Sequence, residues 1–311
     1  MPRSLAMEIL SVLASAHRDA HGNDDGPSAE RDFEIGQFER LEVAGPFDVE
    51  VETGAAPGVH ATGPQWALDK LVVEQKGDLL FIGCDGDCDG DVHVHVTARQ
   101  LSGVRSSGSG DLWIGDIKGE LFDCTSSGSG DVSIGKIKAE RLKLSAAGSA
   151  DIRIGKVRAD QFEASLMGSG DLSLDAVECA EMKLAMNGSG DARMEEFCGE
   201  RFEAVLVGSG DLAVESLETR IVECSIYGSG DIWIGHGEAT EAKLDTAGSG
   251  DMSVEGVKIE EANISVAGSG DISARVTGRA EIAIMGSGDV GVSGGATCKV
   301  SGSGSGEARC T

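Results

Sequence analysis

The sequence predicts an all-β fold: a single-chain parallel β-helix, or β-solenoid, whose coils are each about 20 residues long. Three observations carry that expectation. The tetrapeptide Gly-Ser-Gly-Asp, with Ala150 as the third residue of one copy and Glu307 as the fourth of the last, returns at fixed spacing, its first glycine falling at Gly108, Gly128, Gly148, Gly168, Gly188, Gly208, Gly228, Gly248, Gly268, Gly286 and Gly304, so that eight equal intervals precede two that are each two positions shorter. Apolar residues on both sides of the motif recur at every second position. The 46 glycines are about twice ordinary usage, whereas 5 prolines and 40% hydrophobic residues argue against a disordered or collagen-like chain. A fixed period of this length means coils that bury their apolar face only by stacking on their neighbours. A right-handed sense is expected.

Residues 1–32 form the first segment, either flexible or an export signal: Arg3, an apolar stretch from Leu5 and Ala14-Ser15-Ala16 fit a signal peptide, and Glu8 interrupts the apolar stretch. Residues 33–100 form a less regular β cap. Strands are expected at Arg40–Val43, Phe47–Val51, Leu71–Glu74, Leu79–Ile82 and Val92–Thr97, a helical turn at Trp66–Lys70, and turns at Gly54, Pro57, Gly63-Pro64 and Gly77-Asp78. Such a cap covers what is otherwise a bare sheet edge.

Residues 101–311 are the regular solenoid. Its first coil places Leu112, Ile114, Ile117, Phe122 and Cys124 inward; the next repeats them as Val132, Ile134, Ile137, Leu142 and Leu144. Spacings of two are those of strands, whose side chains alternate between faces. Down one inward column the residues run Phe122, Leu142, Phe162, Met182, Phe202, Val222, Ala242, Ala262, so the cross-section should narrow where the repeat also shortens. The adjacent outward column, Asp123, Lys143, Glu163, Lys183, Glu203, Glu223, Lys243, mostly alternates in sign and suggests ion-pair ladders between coils about 4.8 Å apart.

A formal net charge of −27 sets nucleic acid aside as a partner, and no long apolar run spans a membrane as a helix. Aromatic residues make up 4% of the chain, too few for a base-stacking platform. The segments FERLEVAGPFDVEVETG (38–54), WALDKLVVEQKGDLLFIG (66–83) and VHVHVTARQLSGVRSSGSGDL (92–112), followed by recurrent GSGD, resemble the auto-transporter adhesin, head GIN domain family of bacterial proteins. The resemblance covers about residues 33–311. It implies a single-chain β-helix, exported to the periplasm, outer envelope or medium, with an adhesive or structural role, no accepted catalytic residues, and a protein or glycan partner at the cell envelope. A monomer is expected. The alternatives are a scaffold polymerising end to end, as bactofilin-type β-helices do, and a calcium-stabilised repeat protein.

Candidate chemistry is confined to acids and cysteines. The motif aspartates Asp111, Asp131, Asp151, Asp171, Asp191, Asp211, Asp231, Asp251, Asp271 and Asp289 form one column. Like charges about 4.8 Å apart repel by roughly 0.9 kcal/mol per pair even in water, so either calcium ions between coils or backbone N–H groups in an Asx-type corner must offset them. In CDGDCDGD (84–91), Asp85, Asp87, Asp89 and Asp91 resemble the opening of a calcium loop whose closing acid is absent, the twelfth position being Val96; a tight acidic hairpin tip is the other reading. Cys84 and Cys88 with His93 and His95 are a weak match to a Zn²⁺ site.

Three disulfides fit the spacing: Cys84–Cys88, Cys179–Cys198 at neighbouring corners, and Cys298–Cys310. They point to an oxidising compartment. Cys124 and Cys224, five coils apart in one inward column, are expected to be buried thiols. No catalytic set is found: the G-x-G-x-x-G at Gly286–Gly291 lies inside the repeat, and G-x-S-x-G does not occur. A non-enzyme with no cofactor, calcium aside, is the expectation.

Overall fold

The computed structural model describes residues 27–86, 88 and 91–311. The export-signal reading therefore falls outside the described residues. The cap contains β1 (Ser28–Phe33), β2 (Arg40–Ala44), β3 (Asp48–Thr53), β4 (Gly58–Pro64), a short helix α1 (Gln65–Leu68), β5 (Leu71–Lys76), β6 (Leu79–Cys84) and β7 (His93–Ala98). The solenoid begins with β8 (Gly103–Ser106), β9 (Leu112–Ile114), β10 (Ile117–Lys118), β11 (Leu121–Ser126), β12 (Val132–Lys138) and β13 (Arg141–Gly148). One long strand per coil follows: β14 (Ile152–Gly168), β15 (Leu172–Gly188), β16 (Ala192–Gly208), β17 (Leu212–Gly228), β18 (Ile232–Gly248), β19 (Met252–Gly268) and β20 (Ile272–Gly286). The last coil pairs on β20 through β21 (Val290–Ser293) and β22 (Thr297–Gly304), and β23 (Ala308–Cys310) pairs with β21.

A strand as long as β14 cannot stay flat around a coil, and the burial pattern shows where it bends. Its inward residues are Ile152 and Ile154, then Val157 and Ala159, then Phe162, Ala164 and Leu166. Alternation slips by one at residues 155–156 and again at 160–161, so two consecutive side chains face out at each bend. Three short sides result, closed by the GSGD corner. Coils pair in parallel with a register of one repeat, for example Phe162 opposite Met182 and Met182 opposite Phe202. Between β19 and β20 the register shifts at both bends: Val254 still faces Ala274, but Ile259 faces Val276 and Val257 has no counterpart. The shortened repeat thus loses one inward position, and the column of Phe122 continues through Ala262 to Ala280.

The cap differs from the expectation in order and extent. β1 begins at Ser28, inside the segment expected to be flexible, and Gly58–Pro64, flanked and ended by residues expected as turns, is a strand. β2 lies between β6 and β8, and β3 between β7 and β9, all in parallel. Residues 79–98 are therefore the outermost coil, 40–53 the second and 103–114 the third, so chain order and stacking order differ. The antiparallel pairs β5–β6, β4–β7 and β1–β4 then close this end of the stack. One apolar core runs continuously from Phe38 to Val292, with Phe47, Phe122, Phe162, Phe197 and Phe202 its largest fully buried side chains.

Two lysines of the outward column pair within their own coils, and only farther along it does Lys299 reach Glu281 of the preceding coil, at 4.0 Å. Lys183 pairs with Glu181 at 3.2 Å and Lys243 with Asp245 at 3.2 Å, each two residues along its own strand. A neighbour two positions away on the same face, about 6.8 Å along the strand, is still within reach of a lysine side chain. The Glu181 hydrogen bond raises the Lys183 pKa, with the fields of Glu203 and Glu163 adding to it.

Candidate functional site

Each GSGD corner is a point of close approach between coils. The serine N–H donates to the first glycine carbonyl of the preceding coil, as from Ser189 to Gly168 at 2.9 Å, and the residue after each aspartate donates forward, as from Leu172 to the Asp191 carbonyl at 2.8 Å. The aspartate N–H has no such carbonyl. It donates instead to the side-chain Oδ1 of the aspartate one coil earlier, and this bond repeats at 2.7–3.0 Å from Asp111 to Glu307. The aspartate column is thus a hydrogen-bond ladder between coils; the corner expected from sequence kept each carboxylate within its own turn.

The ladder starts at Asp48, which the repeat pattern did not reveal. Asp48 Oδ1 accepts the Asp111 N–H at 2.9 Å, and the Gly45 carbonyl accepts from Ser109 at 3.1 Å. Gly45-Pro46-Phe47-Asp48 is therefore a degenerate copy of the motif. The signal was present in the strand that follows, where Val49-Glu50-Val51 matches Leu112-Trp113-Ile114.

A charged acceptor strengthens a hydrogen bond to about 1.5–3 kcal/mol, more than the roughly 0.9 kcal/mol repulsion between neighbouring charges in water. Backbone donors alone therefore suffice to hold the column. Asp191→Ala should lower stability by about 1–2 kcal/mol in urea unfolding, whereas Asp191→Asn, which keeps the acceptor and removes a charge, should change it by less than about 0.5 kcal/mol. Millimolar Ca²⁺ added to chelator-treated protein should leave the melting temperature unchanged; a rise of several degrees would assign the column to cations instead.

The remaining candidates separate. Cys84 and Cys88 are disulfide-bonded, as are Cys298 and Cys310. The Cys84–Cys88 bridge uses up the sulfurs of the weak Zn²⁺ match. Asp85 donates its backbone N–H to the Lys70 carbonyl, Asp91 pairs with His93, and Asp87 and Asp89 lie outside the described residues. Among the described residues no three His, Cys, Asp or Glu side chains converge as a metal site.

The expected Cys179–Cys198 bridge does not form. In register Cys179 faces Gly199 and Glu178 faces Cys198, so the two cysteines are one residue out of step and point to opposite faces. Cys179 is buried and Cys198 exposed. Burial pushes the Cys124, Cys179 and Cys224 thiols up to about 12, helped by the acids beside each. They therefore stay protonated and unreactive at neutral pH. A thiol reagent at pH 8 should label Cys198 alone in the native protein and all four free cysteines after unfolding without reductant.

Two further surface features stand out. A groove of about 670 Å³ follows the second bend, lined by Glu140, Arg141, Asp160, Gln161, Glu181 and Arg201 among others. At the position before each motif, Met167, Asn187, Val207, Tyr227, Ala247, Ala267 and Met285 lie in register, an outward column in which Met167, Val207, Tyr227 and Met285 are exposed. No helix among the described residues is long and apolar enough to cross a membrane.

Stacked parallel coils with a side-chain ladder at one corner define a single-chain β-solenoid. The family model described as "Putative auto-transporter adhesin, head GIN domain" matches residues 37–196 and 194–296, and the chain belongs to that family. Among solved structures it is similar to a "putative adhesin" from Parabacteroides merdae ATCC 43184, at 15% identity and TM-score 0.44, covering 92% of this chain and 97% of that one. A "putative adhesin" from Parabacteroides distasonis ATCC 8503 is similar at 14% identity and TM-score 0.45, covering 92% and 98%. A search of curated proteins found no match.

Proposed function

We propose that the protein is an exported, non-catalytic adhesin-like module that presents its outward columns to a protein or glycan at the cell envelope. The observation that carries the reading is the column Met167, Val207, Tyr227 and Met285, exposed and in register, with Asn187 between the first two and Ala247 and Ala267 between the last two. From Met167 to Met285 it runs six steps of about 4.8 Å, roughly 29 Å of straight surface. Apolar side chains held this way on a rigid sheet lose little entropy on binding. Family membership supports the adhesive role, and the Cys84–Cys88 and Cys298–Cys310 disulfides support an oxidising compartment.

End-to-end polymerisation has less support. It requires a parallel edge at both ends, and antiparallel strands close the N-terminal one. Cell fractionation with thiol trapping tests export: the protein should appear in the envelope or medium with both disulfides formed, and a cytosolic, fully reduced protein would end this reading. Retention on isolated envelopes should fall at least tenfold in a Val207→Ser/Tyr227→Ser/Met285→Ser variant of unchanged melting temperature.

A further inference from the structure

Three histidines that are distant in sequence meet on the outward face of the cap. His93 and His95 stand two apart on β7 and so share a face, and His60 of β4 is the direct antiparallel partner of His95. Directly opposite residues have Cβ atoms about 4.5–5.5 Å apart, and residues two apart on one strand are separated by about 6.8 Å. Imidazoles at these separations can bring their nitrogens to Zn–N bonding distance, about 2.0–2.1 Å, around one ion.

Carboxylates flank the histidines in the same rows. Asp32, His60, His95 and Glu50 lie side by side across β1, β4, β7 and β3, and Asp48 faces His93. His60 Nδ1 is 2.8 Å from Asp32 Oδ1, the contact that fixes a histidine tautomer and leaves Nε2 to bind a metal. His95 lies between Glu50 at 3.7 Å and Glu52 at 3.8 Å, while His93 lies 3.1 Å from Asp91 and 3.9 Å from Asp48.

We propose that His60, His93 and His95 form a surface site for a nitrogen-preferring divalent transition-metal ion such as Zn²⁺. The Cys84–Cys88 disulfide removes the thiolates that stood beside His93-x-His95 in the sequence, and the fold supplies His60 in their place. In this structure the rings rest against their carboxylates and do not converge. The side chains of His60 and His95 are 40% exposed and that of His93 59%, so rotation about χ1 and χ2 meets water, not packed core. Imidazole donors favour Zn²⁺ and Cu²⁺ over Ca²⁺, which separates this site from the all-oxygen aspartate column.

The test is calorimetric titration of ZnCl₂ into the full chain, freed of metal and held at physiological salt with excess CaCl₂ to occupy carboxylates. One equivalent of Zn²⁺ should bind. His60→Ala and His95→Ala should each weaken binding at least tenfold at unchanged melting temperature, and His236→Ala should leave it unaltered. With Cu²⁺, the electron paramagnetic resonance spectrum should show nitrogen coupling that the His60→Ala/His95→Ala double variant loses. Absence of saturable Zn²⁺ uptake would overturn the proposal, as would uptake by the double variant equal to that of the parent.

Discussion

Gly208→Ala is expected to destabilise the protein by about 3 kcal/mol or more, and Gly210→Ala by less, although the two glycines belong to the same motif. The cost at Gly208 has two parts. Its φ of +128° lies in a region that L residues rarely adopt, which costs about 1–3 kcal/mol. A Cβ there would also stand 2.2 Å from the Gly188 carbonyl oxygen, so the coils must part or the ladder must bend, at about 1–3 kcal/mol more. Gly210 shows the same close approach, its Cβ position being 2.0 Å from the Gly190 carbonyl oxygen, but its φ is not positive. Only the second cost applies.

The chain already contains an instance of the milder change. Ala150 occupies the third motif position, and its corner is looser toward the preceding coil alone: a Cβ at Gly148 would stand 2.6 Å from the Gly128 carbonyl oxygen, whereas one at Gly168 would stand 2.1 Å from the Gly148 carbonyl oxygen. Positive φ marks the first glycine of each copy from Gly148 to Gly304 but not Gly108 or Gly128, so the contrast should be sought in the later coils. Urea midpoints at constant m read the difference; equal shifts for Gly208→Ala and Gly210→Ala would show that crowding alone governs the corner.

The solenoid was legible because each coil repeats the same local solution, and eleven copies of the motif leave its period unmistakable. Its inward columns followed from period-two spacing alone. The cap was not legible in the same way. Stacking β2 between β6 and β8 is a long-range pairing that no local pattern announces, and Phe47 at the third position of the Gly45–Asp48 corner hides the motif.

The aspartate column was visible, but the choice of acceptor partner was not, since it depends on the N–H of a residue one full coil away. Cys179 and Cys198 show how small the margin is. Their spacing falls one position short of a full repeat and so puts them on opposite faces, a distinction that needs the register to be fixed. His60 and His95 became neighbours only through the antiparallel β4–β7 pair, on a strand that glycine and proline had marked as turns.

Phe202→Ala should cost about 3–5 kcal/mol, the range for a fully buried aromatic whose site collapses incompletely. Phe202 has no exposed surface and meets Phe197 edge to face, with ring centroids 5.1 Å apart. Its column neighbours are Met182 and Val222, and parallel stacking holds them at about 4.8 Å along the axis, so neither coil can shift inward to fill the space without breaking its ladder. Phe202→Leu should cost about 1–2 kcal/mol, because most of the volume remains.

The complementary change tests whether the interior narrows. At Ala242, the same column two coils on, a phenylalanine should destabilise by several kcal/mol. Gly237 stands there in the column of Phe197, between Leu217 and Val257, and the following coils carry Ala262 and Ala280, so a narrowed interior would leave no room for the ring. A free energy of unfolding that falls for both Phe202→Ala and Ala242→Phe would establish that interior width is set coil by coil. A neutral Ala242→Phe would instead mean that the later coils enclose unfilled space.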